Sequence, residues 1–257
     1  MSEPRTMSNK TRIAWTQMTW NPTTGCDRVS PGCDHCYALT MAKRLKGMGS
    51  RRYQGDGHPI SSGPGFGLTL HEDALSHPFT WRDPRLVFVD SMSDLFHDAV
   101  PLSFLTQVFE VMERTPQHTY QILTKRSRRL RRLSSELPWP PNVWMGVSVE
   151  DQARAYRAGN LMGVPATVRF VSAEPLLGPL DLHECLGPIS WAIAGGESGS
   201  GARSCDLDWL RSLRDQCRQT GVGFFLKQLG GHPNKRAHDA AVLDGQCWTQ
   251  MPRRIPR

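Results

Sequence analysis

Six short apolar runs recur along the chain, and each ends on a polar tip followed by a stretch of helical character. The runs are Leu86–Val89, Tyr120–Leu123, Val143–Val147, Val168–Val171, Trp191–Ala194 and Gly223–Leu226. They are short and rich in β-branched and aromatic side chains, as strands buried in a parallel sheet are. Helical stretches over 101–114, 126–135, 150–160 and 206–219 alternate with them, and Pro101 and Asp206 suit helix starts. A strand near Arg12–Trp15 and a helix over 37–47 add one more unit at the front. The alternation predicts an α/β fold of parallel strands joined by helical crossovers. A partial or closed (β/α) barrel of about six to eight strands over residues 1–230 is expected. An open doubly wound sheet is the alternative. Residues 49–67, rich in Gly, Pro and Ser, read as a long loop, and 231–257 as a loosely structured C-terminal extension.

The polar strand ends favour the barrel. Asp90, Ser91, Ser93 and Asp94 come after the first of the six runs, and Thr124, Lys125 and Arg126 after the second. Ser148 and Glu150 come after the third, Ser172 and Glu174 after the fourth, Gly195-Gly196-Glu197-Ser198-Gly199 after the fifth, and Lys227 after the sixth. C-terminal strand ends of a barrel converge on one mouth, where reacting groups sit. Helix capping accounts for part of the Ser, Thr and Asp content. It accounts less well for Glu174 before a proline, Glu197 between glycines, and Lys227, which are therefore candidates for substrate binding or proton handling.

Three of the seven cysteines, Cys26, Cys33 and Cys36, fall within eleven residues at the spacing C-x6-C-x2-C; the others are dispersed. An odd, clustered set reads as a local metal site in a reducing compartment rather than a disulfide scaffold. A structural zinc site would require a fourth ligand from Cys205, Cys217 or a distant His. Three thiolates on a [4Fe–4S] cluster leave one iron open. Iron–sulfur, zinc and unligated structural cysteines all stand at this point.

The residues Thr19-Trp20-Asn21-Pro22, the three cysteines with Tyr37, Ser91–His97, Leu123–Arg126, Gly146–Glu150, Ser172–Leu176, Gly195–Gly199 and Phe225–Gln228 resemble a family of phage-encoded three-cysteine-motif proteins. That family is similar in turn to the radical S-adenosylmethionine superfamily. The resemblance implies a radical-SAM-like partial barrel, a [4Fe–4S] cluster on Cys26, Cys33 and Cys36, and S-adenosylmethionine on the open iron. It implies cofactor contacts from Asp90, Ser91, Ser93, Ser148 and Glu150, with Tyr37 packing on the adenine edge. It also implies hydrogen abstraction through a 5′-deoxyadenosyl radical, an electron donor as partner, and a nucleobase or a group attached to one as substrate. The first cysteine gap is longer than the superfamily's usual C-x3-C.

Composition is consistent with this. The chain has 257 residues, 39% hydrophobic and 21% charged, with a net charge of +7. No apolar run nears the roughly 18 residues a membrane helix needs, and MSEPRTMSNKTR lacks an apolar signal core, so a cytoplasmic protein of a bacterium or phage-infected host is expected. Lys125–Arg132 carries six cations in eight residues, which suggests DNA or a nucleotide as partner. A zinc-stabilised barrel that binds nucleic acid, or hydrolyses a phosphate or amide, is the competing reading.

Overall fold

Each of the six runs is a strand, and a seventh precedes them. The computed structural model describes residues 11, 13–199, 201–231 and 242–252. The strands are β1 (Met18–Trp20), β2 (Leu86–Val89), β3 (Thr119–Thr124), β4 (Val143–Ser148), β5 (Val168–Ala173), β6 (Trp191–Gly195) and β7 (Gly223–Gln228). They lie side by side in chain order, and every neighbouring pair is parallel. The sheet curls into a half-barrel with β1 and β7 at its edges.

The first strand lies at Met18–Trp20, after the expected Arg12–Trp15 run, whose Arg12 lies outside the described residues. The apolar segment Ile13-Ala14-Trp15 packs under the sheet instead, where Trp15 is buried against Phe88, Phe170 and Trp191.

The helices are α1 (Tyr37–Gly47), α2 (Leu102–Arg114), α3 (Ser127–Leu133), α4 (Tyr156–Met162), the single turn α5 (His183–Leu186) and α6 (Leu207–Thr220). Helix α2 buries Phe104, Leu105, Val108, Phe109, Val111 and Met112, one apolar face at helical spacing. Helix α6 starts where the Asp206 side chain accepts from Asp208 N, and ends at Gly221 with φ +71°. Helix α4 begins later than the expected residue 150. Asp151 is still extended, and the turn Gln152–Arg154 intervenes.

Strand alternation sorts the core into two layers. Val87, Val89, Tyr120, Ile122, Met145, Val147, Val171, Ala192, Phe224 and Leu226 face the helices. Leu86, Phe88, Trp144, Val168, Phe170, Trp191, Ile193 and Phe225 face the barrel axis with Trp15 and close its lower half. Gly146 makes room in this floor: a Cβ there would stand 2.4 Å from the Phe170 ring. The C-terminal segment forms a small hairpin, Val242–Leu243 with Gln246–Cys247. It then runs antiparallel to β7, with Leu226 N donating to Trp248 O and Gln250 N to Phe224 O. One edge of the sheet is thereby covered.

Candidate functional site

The upper half of the axis is open and lined by polar and apolar side chains together. A cavity of about 730 Å³, solvent included, lies there between the cysteine segment and the ends of β2, β3 and β4. Its wall includes Cys26, Cys33, Cys36, Tyr37, Asp90, Ser91, Ser93, Lys125, Arg126 and Ser148. Of the residues expected to form a site, these come together. Glu150, Glu174, Glu197 and Lys227 are not among the lining residues.

Cys26 is delivered by a turn. Thr23–Thr24 pairs antiparallel with Thr69–Leu70, and Gly25 comes next with φ +87°. A Cβ on Gly25 would collide with Gly67 O at 2.2 Å, so only glycine passes here. Gly25 N donates to Met92 O and Cys26 N to Phe66 O, which places Cys26 beside the end of β2. The long loop therefore packs over the cysteines, with Phe66 and Tyr53 buried against Ala38, Ala42 and Met92.

Three strand ends grip the residues between Cys26 and Cys36. From β3, Arg126 donates to Asp27 O at 3.2 Å, to Cys26 Sγ at 3.2 Å and to Asp94 Oδ2 at 3.1 Å. From β4, Glu150 is fully buried. It accepts from Ser30 Oγ at 2.6 Å and from Arg157 Nη1 at 2.9 Å. Gly32 lies flat against it, where a Cβ would be 2.5 Å from Glu150 Cγ. From β6, Glu197 takes Arg203 Nε and the Arg203 backbone N–H, each at 2.9 Å, and meets His35 Nδ1 at 2.9 Å. Arg203 also donates to Pro31 O at 2.8 Å. Asp27 itself accepts from Ser61 and Ser62 and meets His97 Nε2 at 2.9 Å.

The electrostatics are set by these contacts. Burial, reinforced by Asp94, pushes the Cys26 thiol up to about 12, against the pull of Arg126. Asp27 is held down at about 2, chiefly by Ser61, with His97 and Ser62 also contributing. Burial works against ionisation of Glu197, yet Arg203 and His35 hold it at about 2, so it stays ionised near neutrality. Asp90 goes the other way: burial raises it to about 8 although both its oxygens accept from Thr23. Asp90 also has φ +59°, a left-handed conformation rare for a residue with a side chain.

Four of the cofactor candidates, Asp90, Ser93, Ser91 and Tyr37, make two hydrogen-bonded groups beside the cysteines. Thr23 Oγ1 stands 2.8 Å from Ser93 Oγ, which donates to Gly25 O at 2.6 Å. Ser91 Oγ donates to Asn21 Oδ1 at 3.0 Å, and the Tyr37 hydroxyl to Ser91 O. Lys227 and Glu174 make an ion pair.

The basic stretch divides. Lys125 and Arg126 reach the cavity, and Arg129 turns inward to donate to His97 O at 2.7 Å. Only Arg128, Arg131 and Arg132 of the stretch are exposed. Asp94 is legible only as one of the polar strand ends, and Asp27, Arg157 and Arg203 carry no signal in the sequence that marks them out. Each acts through a partner distant in the chain or reads as an ordinary surface charge.

The chain belongs to the family described as Protein of unknown function (DUF5131), whose model matches residues 10–252. No curated protein matches it. Among solved structures it is similar to a cysteine-to-serine mutant of spore photoproduct lyase, with 11% identity, TM-score 0.55, and coverage of 87% of this chain and 79% of that one. A doubly substituted form of that lyase with bound AdoMet and dinucleoside spore photoproduct matches at 11% identity and TM-score 0.55, covering 86% and 79%. The lyase complexed with dinucleoside spore photoproduct matches at 12% identity and TM-score 0.55, with the same coverage. At such identities the likeness is one of fold, and the fold is radical-SAM-like. Among the described residues no helix is long and apolar enough to cross a membrane.

Proposed function

We propose that this DUF5131 member is a radical S-adenosylmethionine enzyme that holds a [4Fe–4S] cluster on Cys26, Cys33 and Cys36 and acts on a nucleobase or a group attached to one. The observation that carries the reading is the convergence of three free cysteines on one cavity at the C-terminal end of a parallel half-barrel. The donor set fits the group. No fourth Cys and no His is among the lining residues, so one iron of a three-thiolate cluster would stay open. Among the described residues no three Cys, His, Asp or Glu side chains gather closely enough to hold a single ion. A structural zinc site of thiolates and imidazoles would need a fourth Cys or His, which the cavity wall does not supply.

When bound, such a cluster supplies the electron that cleaves S-adenosylmethionine to a 5′-deoxyadenosyl radical, which abstracts hydrogen from an unactivated carbon. The side chains do the rest. Asp90, Ser91 and Ser93 offer oxygens beside the cysteines for the amino and carboxylate ends of the cofactor. Asp90, protonated at neutral pH when alone, ionises when an ammonium group approaches it. Tyr37, tied through its hydroxyl to Ser91, stands at the mouth for an adenine ring. Ser148 and Lys125 hold the far wall. The Glu174–Lys227 pair at the ends of β5 and β7 is suited to orienting substrate. Glu150 and Glu197 serve the reaction by holding the cysteine segment. An electron donor is the implied partner, and the resemblance to phage-encoded proteins makes DNA, as the target of a nucleobase modification, the first substrate to try.

The test is anaerobic reconstitution with iron and sulfide, then metal and sulfide analysis and reduction by dithionite in the presence of S-adenosylmethionine. Four iron and four sulfide per chain, lost in a Cys33→Ala variant, with 5′-deoxyadenosine as product, is the expected result. One zinc and no iron, or a cluster that survives Cys33→Ala, overturns the proposal.

A further inference from the structure

The cations of α3, α4 and the turns before them fall into two groups. Lys125, Arg126, Arg129, Arg154 and Arg157 each have a carboxylate within 4 Å: Glu150, Asp94, Asp98, Asp151 and Glu150 respectively. Arg128, Arg131 and Arg132 have none among the described residues, and all three are exposed. They stand at i, i+3 and i+4 of one short helix, so they crowd the same face and repel one another. No acid among the described residues relieves that cost.

The neighbouring face of α4 adds a different chemistry. The Arg128 guanidinium lies over the Tyr156 ring, 5.1 Å from its centroid, and Tyr156 is 47% exposed. Arg131 reaches Asn160 Oδ1 at 3.4 Å. Between Tyr156 and Asn160 sits Gly159, and a Cβ there would meet nothing within 4 Å. Unneutralised guanidiniums thus flank an open strip floored by glycine, with an aromatic face beside it. A polyanion with flat groups attached satisfies both features: phosphates pair with the arginines and a base stacks on the Tyr156–Arg128 platform. Stacking requires a free base face, which a duplex keeps inside its own stack.

We propose that the α3–α4 face binds single-stranded nucleic acid through Arg128, Arg131, Arg132 and Tyr156. Helix α3 starts at Ser127, directly after the cavity-lining Lys125 and Arg126, so a strand held there leads to the cavity mouth. This inference rests on the radical-enzyme reading for its purpose: it makes the substrate a nucleotide within a strand rather than a free nucleoside.

The experiment is fluorescence anisotropy of a labelled oligothymidylate titrated with the full chain over a salt series. The wild type is expected to bind with a linear log–log salt dependence. In the triple variant Arg128→Ala, Arg131→Ala, Arg132→Ala, affinity drops more than tenfold and the slope shrinks by about 2, three phosphate contacts' worth on a single strand. Tyr156→Ala weakens binding about fivefold or more at unchanged slope. The paired variant Lys43→Ala, Arg44→Ala, on exposed α1, binds as wild type. Thermal melting of each variant separates lost contacts from lost folding. Wild-type binding by the triple variant overturns the proposal, as does an equal loss in the α1 variant. Equal competition by a duplex or by polyglutamate also overturns it, by pointing to another class of partner. A chain that binds the strand but assembles no cluster leaves this surface standing and removes the radical reading instead.

Discussion

Arg126 sits in a run of cations yet spends its guanidinium inside, on Cys26, Asp27 and Asp94. Asp94 is equally committed, accepting also from Phe96 N, Thr124 Oγ1 and Lys125 N. Both side chains are nearly buried, 7% and 8% exposed. Removing the cation while leaving the carboxylate is the costly way to break such a pair. Arg126→Leu is therefore expected to destabilise the protein by about 3–5 kcal/mol in urea unfolding at neutral pH. Arg126→Lys keeps the charge but not the three-way fork, and should fall between the wild type and the leucine variant. Asp90 gives a pH signature. Its carboxyl rises from 3.8 to about 8, through burial first and Asp94 last, against the hydrogen bonds of Thr23. Between those values the folded protein holds a proton that the unfolded chain has released. The stability tied to that proton is complete below about pH 4 and is lost as pH rises through 8. Asp90→Asn keeps an acceptor for Thr23 N and should flatten the decline in Tm over that range. Equal slopes in the two proteins would show Asp90 already ionised.

The element that matters most is the cysteine segment with its long first gap. Its extra residues are held: Asp27 by Arg126, Ser30 and Gly32 by Glu150, Pro31 by Arg203. Gly32→Ala puts a methyl group into the Glu150 carboxylate and is expected to cost about 1–3 kcal/mol. It should also lower the iron retained after reconstitution, read as iron per chain on a sample that still melts cooperatively. Much of the scaffold is legible in the sequence, because a parallel strand and its crossover helix write periodic, local patterns. Leu86–Val89 and the Asp206 start of α6 need no partner to be read. The grips on the cysteine segment are not legible. Arg126 meets Cys26 across 100 residues and Arg203 meets Pro31 across 172, and no local pattern records such pairs. Glu150 and Glu197 stand out as unusual strand-end acids, but their neighbours in space decide that they anchor a loop. Ile13–Trp15 has the apolar content of a short strand and is a buried plug, a distinction that only its packing under the sheet makes.

At the scale of the molecule, the axial aromatics hold the half-barrel together from within. Trp191 touches Trp15, Trp144, Phe170 and Phe225 and is fully buried. Trp191→Ala is expected to cost about 3–5 kcal/mol, measured by urea unfolding. Ending the chain before Val242 strips the cover from β7, and light scattering should report self-association through the bare edge.

The aromatic floor also fixes traffic. Phe88 and Leu123, which pack in or on that floor, also line the cavity, so on the proposed function cofactor and substrate would share the open end opposite it. Whatever settles deepest must arrive first and depart last, and a second molecule lodged at the rim beside Tyr37 locks in the one below. On the proposed radical-enzyme function, two-substrate kinetics would run in compulsory order. The later-binding compound, supplied in excess, should slow release of the earlier one in a chase experiment.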